Sequence, residues 1–233
     1  KYVEVSNNTL INCGGYPFFS TFWTNATIKN NLFYNVLAVG ENATTRADQD
    51  PDGLAYSMIN IDTLANEFPM GDTTWLDRES ERKFVVENNY YGWDEEIEAI
   101  WAGRDSVFAP TWMNERTVGF FADNTNYPLV VEQNNSSKAD LGIPTFETPI
   151  PTTPDFLKWI DEGVWGNPQT AGLRFVWEPA GAENPNYDLD WPPLEDLRIT
   201  KSAFVGDDGL PLGDQNWYAE RAVRWDMTGW GRE

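Results

Sequence analysis

The chain has 233 residues, with 37 acidic and 16 basic side chains, a formal charge of −21, no histidine and one cysteine. We expect no nucleic-acid partner, because binding to phosphate backbones requires a cluster of Lys and Arg. We also expect no membrane insertion, because no stretch reaches the roughly 18–20 consecutive apolar residues of a membrane helix. Without histidine there is no Ser-His-Asp triad and no His-ligated zinc, and Cys13 by itself forms no intrachain disulfide.

A short pattern recurs along the first part of the chain: two apolar residues at alternate positions, an Asn pair and a further apolar residue. It occurs in VEVSNNTLIN, ATIKNNLFYN and FVVENNYY, and LVVEQNNSS is a fourth copy with one extra residue before its Asn pair. The second Asn residues of the four pairs are separated by 23, 58 and 46 positions. These spacings predict coils of about 23–29 residues, with one diverged coil around Ile59 and Ile61 filling the longest gap.

The pattern predicts a parallel β-helix. Alternating apolar residues such as Val3 and Val5 face one side of a short strand. The Asn pair then turns the chain, since Asn tolerates the left-handed region better than other residues with a Cβ. In stacked coils, equivalent Asn amides lie one strand spacing apart and form a hydrogen-bonded ladder. The alternative is that the Asn pairs are ordinary turns in an antiparallel sandwich.

The sequence changes character after about residue 143, so we divide the chain into coils over 1–143 and a C-terminal region over 144–233. Residues 143–154 are rich in Pro and Thr, which is typical of an extended strap. A short helix follows, with Thr153 as N-cap, Pro154 at its first position and Gly163 past its end. The irregular Trp- and Pro-rich remainder packs along the coils or caps their end, because its tryptophans are costly to expose. The predicted fold class is therefore all-β, a right-handed parallel β-helix with an irregular C-terminal cap.

The Asn-pair coils resemble the right-handed parallel β-helix proteins of the pectate-lyase-like superfamily. Residues 189–218 also look like the C-terminal signature of secreted or surface-anchored β-helix proteins of Bacteroidota-type bacteria, with Gly213, Asp214 and Trp217 at the end of that signature. The resemblance implies an extracellular or cell-surface protein that acts on or near polysaccharide, often with Ca²⁺. A shared fold does not imply a shared activity.

Lyases of this superfamily use Arg or Lys as the base that removes a proton next to a uronate carboxylate. Their Arg-x-Pro-x-x-Arg pattern is absent from this sequence. The catalytic candidates are Arg78, Arg82 and Lys83, for which surface ion pairs are the alternative. A glycosidase would use two carboxylates, but neither Glu95 to Glu98 nor Asp72 with Asp77 is assigned that role, since pairs arise by chance among so many acids.

The sequence DQDPDG suggests a Ca²⁺ site. Asp48, Asp50 and Asp52 alternate and are followed by Gly, as in the first half of a calcium loop. Position twelve is Ile59 instead of a bidentate Glu, so further ligands must come from elsewhere, for example Asp62. The alternative is an acidic, solvated loop.

Aromatic residues suggest contact with sugars, whose apolar faces suit planar rings. The candidate glycan-binding residues are Trp23, Trp75, Trp93 and Trp101. Packing between the coils and the tail is the alternative for most of them.

Two functions remain open. The first is a non-catalytic secreted or surface module that binds glycan, or that serves as a structural or adhesive element. The second is a polysaccharide lyase or other uronate-active enzyme. A strand that starts at Tyr2 also leaves an open β-helix end able to accept a second chain, and the absence of an initiator Met suggests a product of a longer precursor.

Overall fold

A computed structural model describes residues 2–15, 17–20, 23–42, 57–62, 64, 78–148, 154–166 and 197–215. The strands are β1 (Tyr2–Ser6), β2 (Thr9–Cys13), β3 (Phe18–Ser20), β4 (Asn25–Lys29), β5 (Leu32–Val36), β6 (Ser57–Ile61), β7 (Lys83–Glu87), β8 (Tyr90–Gly92), β9 (Thr111–Met113), β10 (Val131–Gln133) and β11 (Ser136–Ser137). The helices are α1 (Glu95–Ala102), α2 (Glu115–Ala122), α3 (Lys138–Leu141) and α4 (Pro154–Lys158), and α4 continues as a π-helix over Trp159–Val164. None of these described helices is long and apolar enough to cross a membrane.

The strands form three sheets in which every pairing is parallel. Sheet A has the order β1-β4-β7-β10, sheet B the order β11-β8-β5-β2, and sheet C the order β3-β6-β9. The chain visits the sheets in the fixed order A, B, C, and we call each such passage a rung. Predominantly parallel strands with few helices agree with the all-β class expected from the sequence.

The alternating apolar residues of the repeat face a common core, as the sequence predicts. In sheet A, Val5 pairs with Ile28 and Ile28 with Val86, so one column of apolar side chains runs through three rungs. Ile28 and Val86 are buried, and Phe33 of sheet B belongs to the same core cluster. Burial of each such side chain contributes roughly 1.5–3 kcal/mol.

The Asn pairs form the predicted ladder. The first Asn of each pair has a positive φ, from 53° at Asn134 to 56° at Asn7, and so turns the chain between sheets A and B. The second Asn contacts the next rung: the backbone N and Nδ2 of Asn8 both donate to Oδ1 of Asn31, at 2.9 and 3.0 Å. Asn31 donates in the same way to Asn89, and Asn89 to Asn135, with distances of 2.9–3.0 Å.

The sequence prediction of an additional coil around Ile59 and Ile61 is wrong. Strand β4 pairs directly with β7, and Asn31 bonds directly to Asn89. Ile59 and Ile61 lie in β6, the sheet C strand of the same rung as Asn31. The long spacings between Asn pairs therefore reflect long connections within one rung.

The fourth repeat has no extra residue before its Asn pair, which corrects the alignment made from the sequence. Val131 pairs with Val85 and Glu132 pairs with Val86, so the Asn pairs align without a bulge. A carboxylate thus occupies the position that is apolar in the other three rungs. Glu132 is exposed and accepts a hydrogen bond from Nδ2 of Asn135 at 2.5 Å.

The C-terminal region packs along the outer face of sheet B over the part that is described. The ring of Phe204 lies 4.8 Å from that of Tyr90, and Leu212 is buried in the same cluster. Asp207 lies 2.5 Å from Nζ of Lys29. Gly213 donates its N–H to the carbonyl of Asn30 with a φ of +87°, and a Cβ at this position would lie 2.2 Å from Oγ1 of Thr9.

Helix α4 begins at Pro154, as the sequence predicts, whereas Thr153, its predicted N-cap, lies outside the described residues. The predicted end is wrong, because Gly163 lies inside the π-helical continuation. Phe156 and Ile160 are buried in the same cluster as Trp101, and the helical segment continues beyond this contact to Val164.

We expect Asn31→Ala to lower the free energy of unfolding by about 2–4 kcal/mol, measured by urea unfolding monitored with circular dichroism. The substitution removes the side-chain bonds to Asn8, Asn89 and the carbonyl of Val5, and leaves buried polar groups without partners. Asn8→Ala, at the end of the ladder, is the control and should cost less. An equal loss for both variants would contradict a cooperative ladder.

Candidate functional site

Three indole N–H groups hold the chain where it leaves β5. Trp93 donates to the carbonyl of Val36 at 2.6 Å, Trp101 to that of Ala38 at 3.0 Å, and Trp165 to that of Val39 at 2.5 Å. Gly40 has a φ of +74°, and a Cβ there would lie 3.0 Å from the Trp101 indole and from Val107. Glycine therefore permits the close approach that seats Trp101 against this segment.

A buried carboxylate connects the residue before helix α1 to the end of strand β5. Asp94, at the N-cap position, accepts hydrogen bonds from the Tyr34 hydroxyl and from Nδ2 of Asn35, and its own N–H donates to Oδ1 of Asn35 at 2.8 Å. Asn35 also donates to Oδ1 of Asn12 at 2.9 Å, so this corner is linked across three rungs. Glu95, Glu96 and Glu98 follow in the first turn, where negative charge is favourable.

The connection after α1 returns to the rung that contains β5, through a backbone bridge. Phe108 donates its N–H to the carbonyl of Glu41 at 2.7 Å, and Glu41 donates back to Phe108 at 3.1 Å. The Phe108 side chain is 38% exposed, although its backbone is held on both sides. Arg104 of the same connection is turned away toward Asp161, to which its Nε donates at 2.9 Å.

An open cleft of about 350 Å³ lies between helix α1 and the connection from α1 to β9. Its described lining residues are Trp93, Glu98, Trp101, Ala102, Val107, Phe108, Ala109 and Pro110. The rings of Trp93 and Trp101 are 5.8 Å apart and nearly perpendicular. The lining is thus apolar and aromatic with a single charged side chain, Glu98, whose Oε2 lies 2.7 Å from Nζ of Lys138.

The structure brings two of the four predicted tryptophans together in this cleft. Trp101 is 4% exposed, so packing, the alternative left open by the sequence, accounts for most of its surface. Trp93 is half-buried, and Phe108 presents the more open ring. Trp23 packs on the core cluster instead, and Trp75 lies outside the described residues.

The three residues of the basic cluster predicted from the sequence lie in different environments. Arg82 is 1% exposed and lies between the rings of Phe84 and Phe120, at 5.0 and 5.2 Å. Its guanidinium donates to the carbonyls of Trp23 and Asp62 and to the carboxylate of Glu79. Arg82 is therefore a structural cation, whereas Arg78 and Lys83 are exposed.

The predicted calcium loop of Asp48, Asp50 and Asp52 lies outside the described residues. Asp62, considered as a further ligand, lies 3.3 Å from Nη1 of Arg116. Within the described ranges, no group of three or more Cys, Asp or Glu side chains is arranged to hold a metal ion.

Comparison of the chain with protein-family models, with curated proteins and with solved structures finds no match. The geometry of the cleft and the Asn-pair repeat of the sequence therefore carry the proposed function.

We expect stability to fall above about pH 10, and to fall less steeply in Tyr34→Phe. Burial, reinforced by the hydrogen bond to Asp94, raises the pKa of Tyr34 in the folded state. The neutral hydroxyl therefore stabilises the fold fully below the unfolded pKa, and this contribution is lost as the pH rises above it, with a slope of about 1.4 kcal/mol per pH unit.

Urea unfolding of both proteins at several alkaline pH values measures the two slopes. Tyr34→Phe removes one titrating group and leaves the others, including Tyr90, whose pKa is also raised by burial. Identical slopes would contradict the assignment of Tyr34 as a buried neutral group.

We expect Arg82→Met to lower the free energy of unfolding by about 2–4 kcal/mol, because it leaves Glu79 and two backbone carbonyls without their partner. Lys83→Met is the matched control, since Lys83 is exposed, and should change stability by about 0.5 kcal/mol or less. Denaturant melts measure both. Full stability of Arg82→Met would show that the buried cation has no structural role.

Proposed function

We propose that the protein is a non-catalytic carbohydrate-binding module of a secreted or cell-surface type, and that sugar binds in the cleft beside α1. The observation that carries the proposal is the cleft itself, in which the exposed ring of Phe108 and the half-buried Trp93 lie beside the carboxylate of Glu98. Planar rings remove the apolar face of a sugar from water, and a carboxylate accepts hydrogen bonds from its hydroxyl groups.

The size of the cleft suits a short oligosaccharide. Its volume of about 350 Å³ lies at the small end of the range for ligand pockets, which run from about 300 to 1,000 Å³. Two backbone hydrogen bonds hold Phe108, and an indole N–H bond holds each tryptophan. Since both indoles and the backbone of Phe108 are held before binding, little of their conformational entropy is lost when a ligand enters.

We further propose that the scaffold is a right-handed parallel β-helix. The fixed order of sheets, the registered columns of Val5, Ile28 and Val86, and the Asn ladder all support this assignment. The resemblance of the Asn-pair coils to the pectate-lyase-like superfamily agrees with it. In such a scaffold the connections between strands supply the binding surface, as the connection from α1 to β9 does for the cleft.

The cleft favours binding over lyase chemistry. A lyase requires a cationic or basic side chain beside the substrate carboxylate, and the one ionisable side chain among the described lining residues is acidic. Arg82, a candidate base, has its guanidinium engaged inside the protein. A location outside the cell, Ca²⁺ at the Asp48 loop and self-association through an open β-helix end stay predictions from the sequence.

Isothermal titration calorimetry with neutral, amino and uronate oligosaccharides tests the function. We expect binding of at least one class, and a loss of about five- to tenfold in affinity for Phe108→Ala, because a ring that covers about 40–55 Å² of the sugar contributes roughly 25 cal/mol per Å². Val205→Ala, which removes an exposed apolar side chain distant in the sequence, is the control. Failure of all classes to bind would refute the proposal, and unsaturated uronate products would establish the lyase alternative.

A further inference from the structure

The described side chains that line the cleft offer acceptors and ring faces but no free hydrogen-bond donor. Both indole N–H groups that reach it are used elsewhere, by Trp93 on Val36 and by Trp101 on Ala38. The remaining lining is aliphatic or aromatic except for Glu98, which when ionised is an acceptor alone. A ligand that fits this lining must therefore supply the donors itself.

The described residues that line the cleft also include a negative charge and no cation. The C-terminal end of α1 lines it through Ala102, and this end of a helix carries partial negative charge. The last turn of α1 contains no basic residue to offset that charge, and Arg104, which follows, pairs with Asp161. Aromatic faces add attraction for a cation, as does the net charge of −21 over the whole chain.

We infer that the preferred ligand is a saccharide with a free, protonated amino group, such as a short glucosamine oligosaccharide, whose ammonium group binds Glu98 while its ring contacts Phe108 or Trp93. This inference rests on the proposed carbohydrate-binding function and specifies the class of sugar. A uronate is disfavoured, because its carboxylate would face Glu98 and the negative end of α1, and the cation beside Glu98, Lys138, is already paired with that carboxylate.

Lys138 regulates the strength of this interaction. Its Nζ lies 2.7 Å from Oε2 of Glu98 and competes with an incoming ammonium group for the same carboxylate. Removal of Lys138 should therefore strengthen the binding of an amino sugar, whereas removal of the Glu98 charge should weaken it. Opposite signs for two neighbouring substitutions are not expected from a general loss of structure.

The test is calorimetry with glucosamine trisaccharide, its N-acetylated counterpart, a neutral glucose trisaccharide and a uronate trisaccharide. We expect glucosamine trisaccharide to bind about tenfold more tightly than the N-acetylated form, since an ionised donor strengthens the hydrogen bond. Glu98→Gln should abolish this preference and Lys138→Met should increase it. Glu96→Gln is the matched control, because Glu96 is an exposed acid of the same helix that does not line the cleft.

The outcomes separate this inference from the function on which it rests. Equal binding of the amino, N-acetylated and neutral sugars overturns the inference and leaves the carbohydrate-binding function standing. An equal loss in Glu98→Gln and Glu96→Gln also overturns it, because the attraction would then be long-range and unrelated to the cleft. Tightest binding of the uronate overturns it as well, and absence of binding by every sugar overturns the proposed function too.

Discussion

The side chains of four asparagines link successive rungs at the corner between sheets A and B, and the rest of the molecule depends on that link. Each Oδ1 in the series Asn31, Asn89 and Asn135 accepts two N–H groups from the rung before it. The preceding Asn of each pair adopts the left-handed conformation that turns the chain from sheet A to sheet B. One Asn pair therefore supplies both the turn from sheet A to sheet B and the hydrogen bonds between rungs. This double role explains why the pair recurs in rungs whose other residues differ.

The cleft depends on this stacking through the alignment of β5 and β8. Tyr34 and Asn35 at the end of β5 bind Asp94, which follows β8, only because the two strands are in register. The same register places the carbonyls of Val36 and Ala38 under the indoles of Trp93 and Trp101. The rungs hold the strand ends in place, and the connections between them provide the shape and charge of the cleft.

The regular part of the fold could be predicted from the sequence because its signals are local. Alternating apolar residues indicate a strand, and an Asn pair, which favours a positive φ, indicates the turn that follows it. Both signals can be recognised without information about distant contacts. The number of rungs could not be obtained in the same way, because the spacing between Asn pairs combines the rung itself with connections of arbitrary length. The alignment at Glu132 failed for a different reason: this exposed carboxylate stands where the other three repeats have an apolar residue, and so it resembles an inserted residue.

Two of the described residues that line the cleft were named as candidates from the sequence. Trp93 and Trp101 stood out as large rings in connections between strands, whereas Phe108 and Glu98 gave no comparable signal. Phe108 reaches the cleft through a backbone bridge to Glu41, a pairing that no local pattern encodes. Arg82 was misread because a buried, fully engaged cation and a catalytic one look alike in a sequence.

Amide hydrogen exchange followed by nuclear magnetic resonance tests the central role of the ladder most directly. The backbone N–H groups of Asn31 and Asn89 point to side-chain oxygens of the next rung and belong to no strand. We predict that they exchange as slowly as the amide of Phe33 within β5, because they open only when the rungs separate. Exchange as fast as that of an exposed loop amide, such as Ser202, would contradict the account.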